Sequence, residues 1–369
     1  MPILVFILVI VALILVHELG HFIAAKLSGM RVDEFGLGYP PRALTIAKKG
    51  GTEYTLNWLP FGGFVKIYGE DGLVKGVEAK DPSAFTSKNR FAQAVVLLAG
   101  VSMNLLFAYA LIVGALIAGT PRALAPEEIT EARNVELAIA RVLPGSPAAQ
   151  AGLKLGDSIL TAEDGHNAFS SADPEAFTRF VASGEGNATI ALTVRHADGE
   201  EETVFARPVK GLATEEPSRA ALGVEIVPIG IVSVPVGQAI TEGATLTYSA
   251  TWLTAVGLGQ FFYSLFTFTA DLSQVSGPVG IAGAVGTASS QGAGNVLSLM
   301  ALISINLALI NLIPVPALDG GRFLFVLIES VIRRSITPKV AYSVNAVGFA
   351  LLVLLMVVVT ANDIFKLVG

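Results

Sequence analysis

Residues 17–21, His-Glu-Leu-Gly-His, place two imidazoles and a carboxylate inside an apolar run that begins at Pro2. An ionisable group at the centre of a membrane costs about 2.5–3.5 kcal/mol on insertion scales, so such groups are usually functional. Positions four apart share a helix face, and His17 and His21 can therefore bind one Zn²⁺. Glu18 lies beside the first ligand, where it can take a proton from a water at the metal. The alternative is a chance pentapeptide with a satisfied core histidine.

A catalytic zinc site usually has three protein ligands, so the two histidines require a partner. His166 and His196, the other histidines, lie in a segment of soluble character. Asp319 is the candidate, because two prolines before it break a helix and two glycines after it permit a close approach. The alternative is that Asp319 caps the helix that follows.

The composition indicates a membrane protein. Of 369 residues, 53% are hydrophobic and 15% are charged, whereas a soluble domain has roughly 25% charged residues. Cysteine is absent, which excludes disulfides and thiolate chemistry. The net charge of −6 argues against a nucleic-acid-binding protein.

Apolar segments long enough to cross a bilayer need about 20 residues, and the chain has four of them: 3–25, 92–118, 296–316 and 342–360. The first lacks a basic leader and a cleavage site, so we expect a retained span. A further segment, 244–270, is laced with polar residues and is expected to form an interfacial amphipathic helix.

Flanking positive charge predicts the orientation. Lysine and arginine concentrate in the connections after the first and third spans, which should therefore be cytoplasmic. Both termini and residues 119–295 would then lie outside. The histidine motif and Asp319 fall toward the cytoplasmic ends of their spans, and this agreement favours a shared site.

Two regions have strand character. In residues 31–90, alternating residues around Gly50-Gly51 predict a hairpin, followed by a strand pair turning at Gly62-Gly63. The apolar stretch 59–67 is expected to dip into the membrane against protein. Residues 127–210 have short alternating runs and turns such as Asp198-Gly199, which predict a small soluble domain.

The two metal motifs together resemble the site-2 protease family of intramembrane zinc metalloproteases, peptidase M50. The match is H-E-x-x-H at 17–21 with N-x-x-P-x-P-x-L-D-G-G at 311–321. The bacterial type similar to the regulator of sigma-E protease resembles this chain most. Residues 34–42, 60–71 and 276–286 also resemble family segments, and 146–160 resembles a PDZ signature.

The resemblance implies a polytopic α-helical membrane protein with about four transmembrane helices, a membrane-associated reentrant β-loop and one inserted α+β PDZ domain. The expected regions are 1–30 (first span with HExxH), 31–90 (β region), 91–119 (second span), 127–210 (PDZ), 211–295 (amphipathic interfacial region), 296–320 (third span with LDGG) and 342–361 (fourth span). The chain departs from the family pattern in two respects. It has room for one PDZ domain, whereas members of the closest type often have two. Residues 98–104 also lack the proline that the family often has after the glycine.

The resemblance also assigns residues. Zn²⁺ would be held by His17, His21 and Asp319, with Glu18 as general base. Asn311 would hold the substrate backbone, although a helix–helix hydrogen bond is its alternative role. The remaining expected substrate-binding residues are Gly62, Gly63, Phe64, Pro314 and Pro316. For Asn104 the sequence leaves two roles open: facing the catalytic chamber, or an interhelical hydrogen bond.

The expected function is intramembrane cleavage of single-span proteins already trimmed outside, such as anti-sigma factors or remnant signal peptides. The expected location is the bacterial cytoplasmic membrane, with the active site toward the cytoplasm and the PDZ domain outside. Partners would be transmembrane substrates, membrane lipid and peptide C-termini at the PDZ domain, whose alternative role is a size filter. A non-catalytic PDZ scaffold and a metal transporter remain as alternatives, although neither requires a carboxylate at Glu18.

Overall fold

The chain divides into two compact units. The computed structural model describes residues 2–70, 81–130, 132–183, 189–196, 199–212, 216, 218–267, 269, 276–334 and 336–368. The helical unit consists of Met1–Ala115 and Val236–Gly369, and the β unit consists of Leu116–Pro235.

The described residues form helices and strands of widely different lengths. The helices are α1 (Pro2–Leu27), α2 (Arg90–Ala118), α3 (Pro147–Gln150), α4 (Pro174–Ser183), α5 (Val236–Phe266), α6 (Pro278–Gln291), α7 (Ala293–Leu312), α8 (Asp319–Ile332) and α9 (Pro338–Val368). The strands are β1 (Val32–Lys49), β2 (Thr52–Ile67), β3 (Thr120–Ala123), β4 (Arg133–Val142), β5 (Ser158–Glu163), β6 (Ala168–Phe169), β7 (Ile190–Arg195), β8 (Glu201–Ala206), β9 (Val209–Lys210), β10 (Ala220–Ala221) and β11 (Val224–Val232).

Four of the described helices are long and apolar enough to cross a membrane, which confirms the predicted number of spans. They are α1, α2, α7 and α9, over Ile3–Leu27, Arg90–Ala118, Ala293–Leu312 and Lys339–Lys366. The third helix ends at Leu312 rather than at the predicted residue 316. Pro314 causes the early end, because a residue before proline avoids helical angles and Ile313 is extended.

Small residues bring α1 and α2 into close contact. A Cβ atom added to Gly20 would lie 2.9 Å from the Met103 Cβ atom and would also overlap the Ala99 carbonyl. Only glycine allows the two backbones to approach so closely at this point. On its other side α2 packs Ala108 against Ala301 and Ile305, which are both buried.

The β1–β2 sheet has four segments. Residues 42–49 pair with 52–57 around a turn at Gly50-Gly51, as expected for a hairpin. Residues 32–39 pair with 53–59 on one side and with 63–67 on the other. The two halves of β2 therefore flank residues 32–39 of β1 and do not form the expected strand pair turning at Gly62-Gly63. Gly62 has a φ of 118°, which permits the change of direction between the halves.

The β unit is larger than the predicted 127–210. Its main sheet has the order β3-β11-β4-β5-β7-β8, with β6 paired to β5. Residues 224–232, which the sequence assigned to an interfacial region (211–295), form β11 and pair with β3 and β4. This long-range pairing closes the sheet over a core that includes Leu137, Ile159 and Leu192. Of the expected Asp198-Gly199 turn, Asp198 lies outside the described residues.

Helix α5 is not among the four candidate spans. It starts at Val236, earlier than the predicted 244, and packs against α7. Residues 268 and 270 of the predicted segment lie outside the described residues. Three aromatic side chains on the helix are exposed by 64–72%: Tyr248, Trp252 and Tyr263. Exposed aromatic residues on an apolar helix are typical of membrane interfaces, and this location remains a prediction.

Candidate metal centre and catalytic cavity

Three side chains from two distant segments converge on one point. The Asp319 Oδ2 atom lies 3.0 Å from His17 Nε2 and 3.1 Å from His21 Nε2. The two Nε2 atoms are 3.3 Å apart. Both histidines are buried, with 7% and 8% of their surface exposed. Among the described residues, these three side chains form a group whose ligand atoms could together hold a metal ion.

The spacing fits a tetrahedral zinc ion. With Zn–N and Zn–O bonds of about 2.0–2.1 Å, two corners of a tetrahedron lie about 3.3 Å apart. The three measured separations are 3.0–3.3 Å. Two imidazoles and one carboxylate are also a common donor set of catalytic zinc, which keeps its fourth position open. The residues present therefore fit the ion that the sequence predicts.

Helix α2 supports both imidazoles from behind. The His21 Nδ1 atom lies 2.8 Å from the Val96 carbonyl oxygen, which accepts the Nδ1–H and leaves Nε2 free to bind a metal. A Cβ atom added to Gly100 would lie 2.8 Å from the Cε1 atoms of both rings, and closer still to His21 Nε2. Because residue 100 is a glycine without a Cβ atom, α2 can lie directly against the two imidazoles. Gly100 was not assigned a role from the sequence, although a glycine within an apolar span is a signal for close helix packing.

Asp319 is presented by a compact turn after α7. It is the first residue of α8, and Leu318 occupies the capping position without a side-chain cap. Cβ atoms added to Gly320 or Gly321 would overlap the carbonyl groups of residues 312, 313 and 315. The two glycines thus allow the first turn of α8 to pack on the segment that carries the prolines, and this packing directs Asp319 toward α1.

A cavity of about 920 Å³ opens on the three ligands. Glu18 lines it together with His17, His21 and Asp319. A Cβ atom added to Gly63 would lie 3.2 Å from Glu18 Cγ, so strand β2 passes directly beside the carboxylate. Apolar side chains from α1, α6 and α7 form much of the remaining wall: Phe6, Ile7, Ile10, Ile14, Ile281 and Leu307.

The expected substrate-binding residues divide into two groups. Asn311, Gly62, Gly63 and Phe64 line the cavity. The two prolines are not among its lining residues. Pro314 is exposed, and a Cβ atom added to Gly348 of α9 would contact Pro316 at 2.5 Å. The structure therefore brings Asn311 and the β2 segment to the ligands and gives the prolines a role in shaping the turn.

Three further cavity residues were missed by sequence analysis. Tyr39 lines the cavity and stacks on Phe64, with ring centroids 6.5 Å apart. Arg322 and Glu70 form an ion pair of 2.5 Å that joins the segment after β2 to α8. Glu70 and Arg322 also line the cavity. Arg322 follows the aspartate-glycine-glycine motif directly, and this proximity was the available signal.

Comparisons with known proteins agree with this arrangement. Residues 5–355 match the profile of Peptidase family M50. A protein of Clostridium perfringens named "Putative zinc metalloprotease" is 36% identical, over 96% of this chain and 95% of its own length. A protein of Nostoc with the same description is 33% identical over 95% and 93%. Zinc metalloprotease RasP of Oceanobacillus iheyensis is 30% identical over 98% of each chain.

The family match includes both segments that supply the candidate ligands, residues 17–21 and Asp319. It also includes the cavity residues of β2 and the buried face of α2. The apolar helices, the converging ligands and this near-complete match lead to one assignment: the chain belongs to peptidase family M50.

Proposed function

We propose that this zinc metalloprotease cleaves the transmembrane segments of single-span membrane proteins after their outer portions have been trimmed. Anti-sigma factors and remnant signal peptides are substrates of this kind, and the process would be regulated intramembrane proteolysis. Peptidase activity itself follows from membership in family M50, and relatives covering nearly the whole chain are named zinc metalloproteases.

One observation carries the proposal. The ligand atoms of His17, His21 and Asp319 lie within 4.8 Å of one another, on a cavity whose wall also holds Glu18. Two of these residues and Glu18 belong to α1, a helix apolar enough to span a membrane. A hydrolytic site on such a helix suits a substrate that is itself a membrane segment.

The residues divide the chemistry between them. His17, His21 and Asp319 would hold a Zn²⁺ ion, which would supply Lewis-acid chemistry for the attacking water and the scissile carbonyl. Glu18 accepts the proton of the attacking water and delivers it to the leaving amine. Glu18 lines the same cavity as the three ligands, so its carboxylate lies beside the point where the peptide would be cleaved.

The substrate backbone would be held as an added strand. Residues 63–67 pair with β1 on one side, and within the described part of the chain no other strand pairs with them. The same residues line the cavity. A peptide bond must be extended before hydrolysis, and pairing with an exposed strand edge holds it in that form. Asn311 on α7 adds an amide that can donate to the substrate backbone.

We propose further that the β unit is a PDZ domain on the extracytoplasmic side and that the metal site opens toward the cytoplasm. The sheet of antiparallel strands with two short helices supports the domain type. Arginine and lysine near Arg31–Lys49 and Arg322–Lys339 support the orientation. A folded domain outside would exclude bulky ectodomains, which is why trimmed proteins are the expected substrates.

The orientation is testable because the chain has no cysteine of its own. Ser170→Cys in the β unit and Ala47→Cys in β1 each create a single thiol at an exposed position. A membrane-impermeant maleimide should label Cys at position 170 in intact cells, and at position 47 only after permeabilisation. The reverse pattern would contradict the orientation.

The central experiment is Glu18→Gln with a fluorescent transmembrane peptide in detergent or liposomes. Cleavage should fall at least about 10³-fold, since the general base is removed, while bound zinc is retained. Glu225→Gln is the matched control, because that carboxylate is 58% exposed in the β unit, and it should cleave normally.

Persistent cleavage by Glu18→Gln at the wild-type rate with zinc bound would overturn the mechanism. Zinc flux into liposomes carried by the same variant would support a transporter instead. Peptide binding by the wild-type chain without cleavage would support a PDZ scaffold.

A further inference from the structure

Asn104 is a buried polar residue for which the proposed reaction assigns no role. It lies on α2 with 0% of its surface exposed. Its Nδ2 atom is 3.2 Å from Nδ1 of His17. Its Oδ1 atom is buried and has no hydrogen-bond partner in the described part of the chain. A buried amide oxygen without a partner destabilises the folded state, so this arrangement requires an explanation.

The chemistry of a metal-binding histidine explains this arrangement of Asn104. If His17 Nε2 binds a metal, Nε2 carries no proton and Nδ1 carries one. The Nδ1–H is then a buried donor that needs an acceptor, and an amide nitrogen cannot accept. The amide oxygen and nitrogen of asparagine have nearly the same size and shape, so the side-chain amide can turn over within the same space. Exchanging them places Oδ1 opposite Nδ1–H, so the Asn104 oxygen and the His17 donor pair with each other, and Nδ2 moves to the buried position that Oδ1 held.

The second histidine shows the same pattern. The Nδ1–H of His21 donates to the Val96 carbonyl oxygen, also on α2, over 2.8 Å. Residues 96 and 104 lie about two helical turns apart on this helix. One face of α2 thus offers an oxygen acceptor to each ligand histidine, with Gly100 between them in contact with both rings.

We propose that Asn104 is a positioning residue for the metal site: its Oδ1 accepts the Nδ1–H of His17 and fixes the ring with Nε2 toward the metal. The inference rests on the proposed role of His17 as a zinc ligand. Of the two roles that the sequence left open for Asn104, the inference supports the interhelical hydrogen bond. Asn104 joins α1 and α2 through a hydrogen bond, and that bond sets the tautomer of a ligand.

The test compares zinc dissociation constants of the full chain in detergent, measured by competition with a chelator. Asn104→Leu removes the acceptor at similar volume and should weaken zinc binding about 10–100-fold, as loss of such outer partners does. Asn104→Asp keeps an oxygen acceptor and should bind zinc within about threefold of the wild type. The Asp variant separates the two roles, because a structural contact alone does not require an acceptor.

Ser304→Ala is the matched control. Its hydroxyl donates to the Asn104 backbone carbonyl over 2.8 Å and is equally buried. This change disturbs the contact between α2 and α7 without touching His17, so zinc affinity should stay within about twofold of the wild type. The thermal midpoint of each chelator-treated protein measures any purely structural loss. Asn104→Ala compared with Asn104→Asp repeats the test at smaller volume if the leucine variant does not fold.

Two results would overturn the inference: wild-type zinc affinity in Asn104→Leu, or equal weakening in the leucine and aspartate variants. A wild-type chain that binds no zinc would instead contradict the proposed function. The failure of one proposal is therefore distinguishable from the failure of the other.

Discussion

The Oδ2 atom of Asp319 lies 3.0 Å from Nε2 of His17, although 302 positions separate the two residues in the chain. The same oxygen lies 3.1 Å from His21 Nε2. Because the Asp319 oxygen and the two histidine nitrogens lie so close together, Asp319 can serve as a metal ligand. Neither forming a turn nor starting a helix would require this position of its carboxylate.

Asp319→Ala should lower zinc occupancy at least tenfold, since only two of the three protein ligands remain. Zinc content after dialysis against a weak chelator measures the effect. Asp33→Ala is the control, because its carboxylate forms an exposed ion pair with Arg31. Unchanged zinc in the Asp319 variant would remove Asp319 from the metal site and leave it with a role in the α8 turn.

Gly100→Ala should reduce zinc affinity and cleavage at least about tenfold, because the new methyl group would overlap both ligand imidazoles. Gly114→Ala lies on the same helix and is the matched control. Its nearest neighbour would be Leu297 Cδ1 at 3.6 Å, an ordinary contact. Alanine is favoured over glycine within a helix by roughly 0.5–1 kcal/mol, so the control should be as stable as the wild type or more so. Equal zinc affinities of the two variants would contradict the close approach of α2.

Asp363→Ala should destabilise the helical unit. The buried Asp363 carboxylate on α9 accepts hydrogen bonds from the backbone N–H of Gly277 at 3.1 Å and of Gly280 at 2.9 Å. These groups belong to the start of α6, and loss of such a cap costs about 1–2 kcal/mol. The thermal midpoint in detergent should fall, and Asp363→Asn should fall less because one acceptor remains. Exposed Ser343→Ala, also on α9, should show no change. A larger fall in the Asn variant than in the Ala variant would contradict a capping role.

Stability of the β unit should depend on pH through His196. Its Nδ1 lies 2.9 Å from Asp157 Oδ1 and its Nε2 lies 3.1 Å from Glu202 Oε2. Hydrogen bonding to Asp157, and then to Glu202, raises the pKa of His196 above its ordinary value, which is about 6.5. Because the folded pKa is the higher one, the stabilisation is complete below about pH 6.5 and is lost as pH rises through the raised value.

His196→Gln should therefore lower the thermal midpoint more at about pH 5.5 than at about pH 9, with exposed His166→Gln as the control. Unfolding followed by circular dichroism on the full chain measures both. An effect of His196→Gln that is equal at the two pH values, or larger at the higher one, would contradict the charge-assisted pairing with Asp157.

Local features were predictable where they depend on neighbours in the chain. The four apolar helices follow from hydropathy, and the hairpin turn follows from Gly50-Gly51, which have φ values of 60° and 76°. Features that depend on residues far away in the chain could not be predicted from the sequence. Strand β11 pairs with β3 and β4, which begin about a hundred residues earlier in the chain, and nothing in residues 224–232 alone identifies them as its neighbours.

The candidate site divides in the same way. The sequence alone determined that His17 and His21 share a helix face with Glu18 beside them, because helical spacing is a local property. It also indicated Asp319 through the prolines and glycines around it. Only the tertiary structure decided that Gly100 contacts both rings, that Asn104 lies opposite His17 Nδ1 and that residues 63–67 pass beside Glu18. These contacts arise from packing between segments far apart in the chain, where side-chain volume and shape decide which atoms meet.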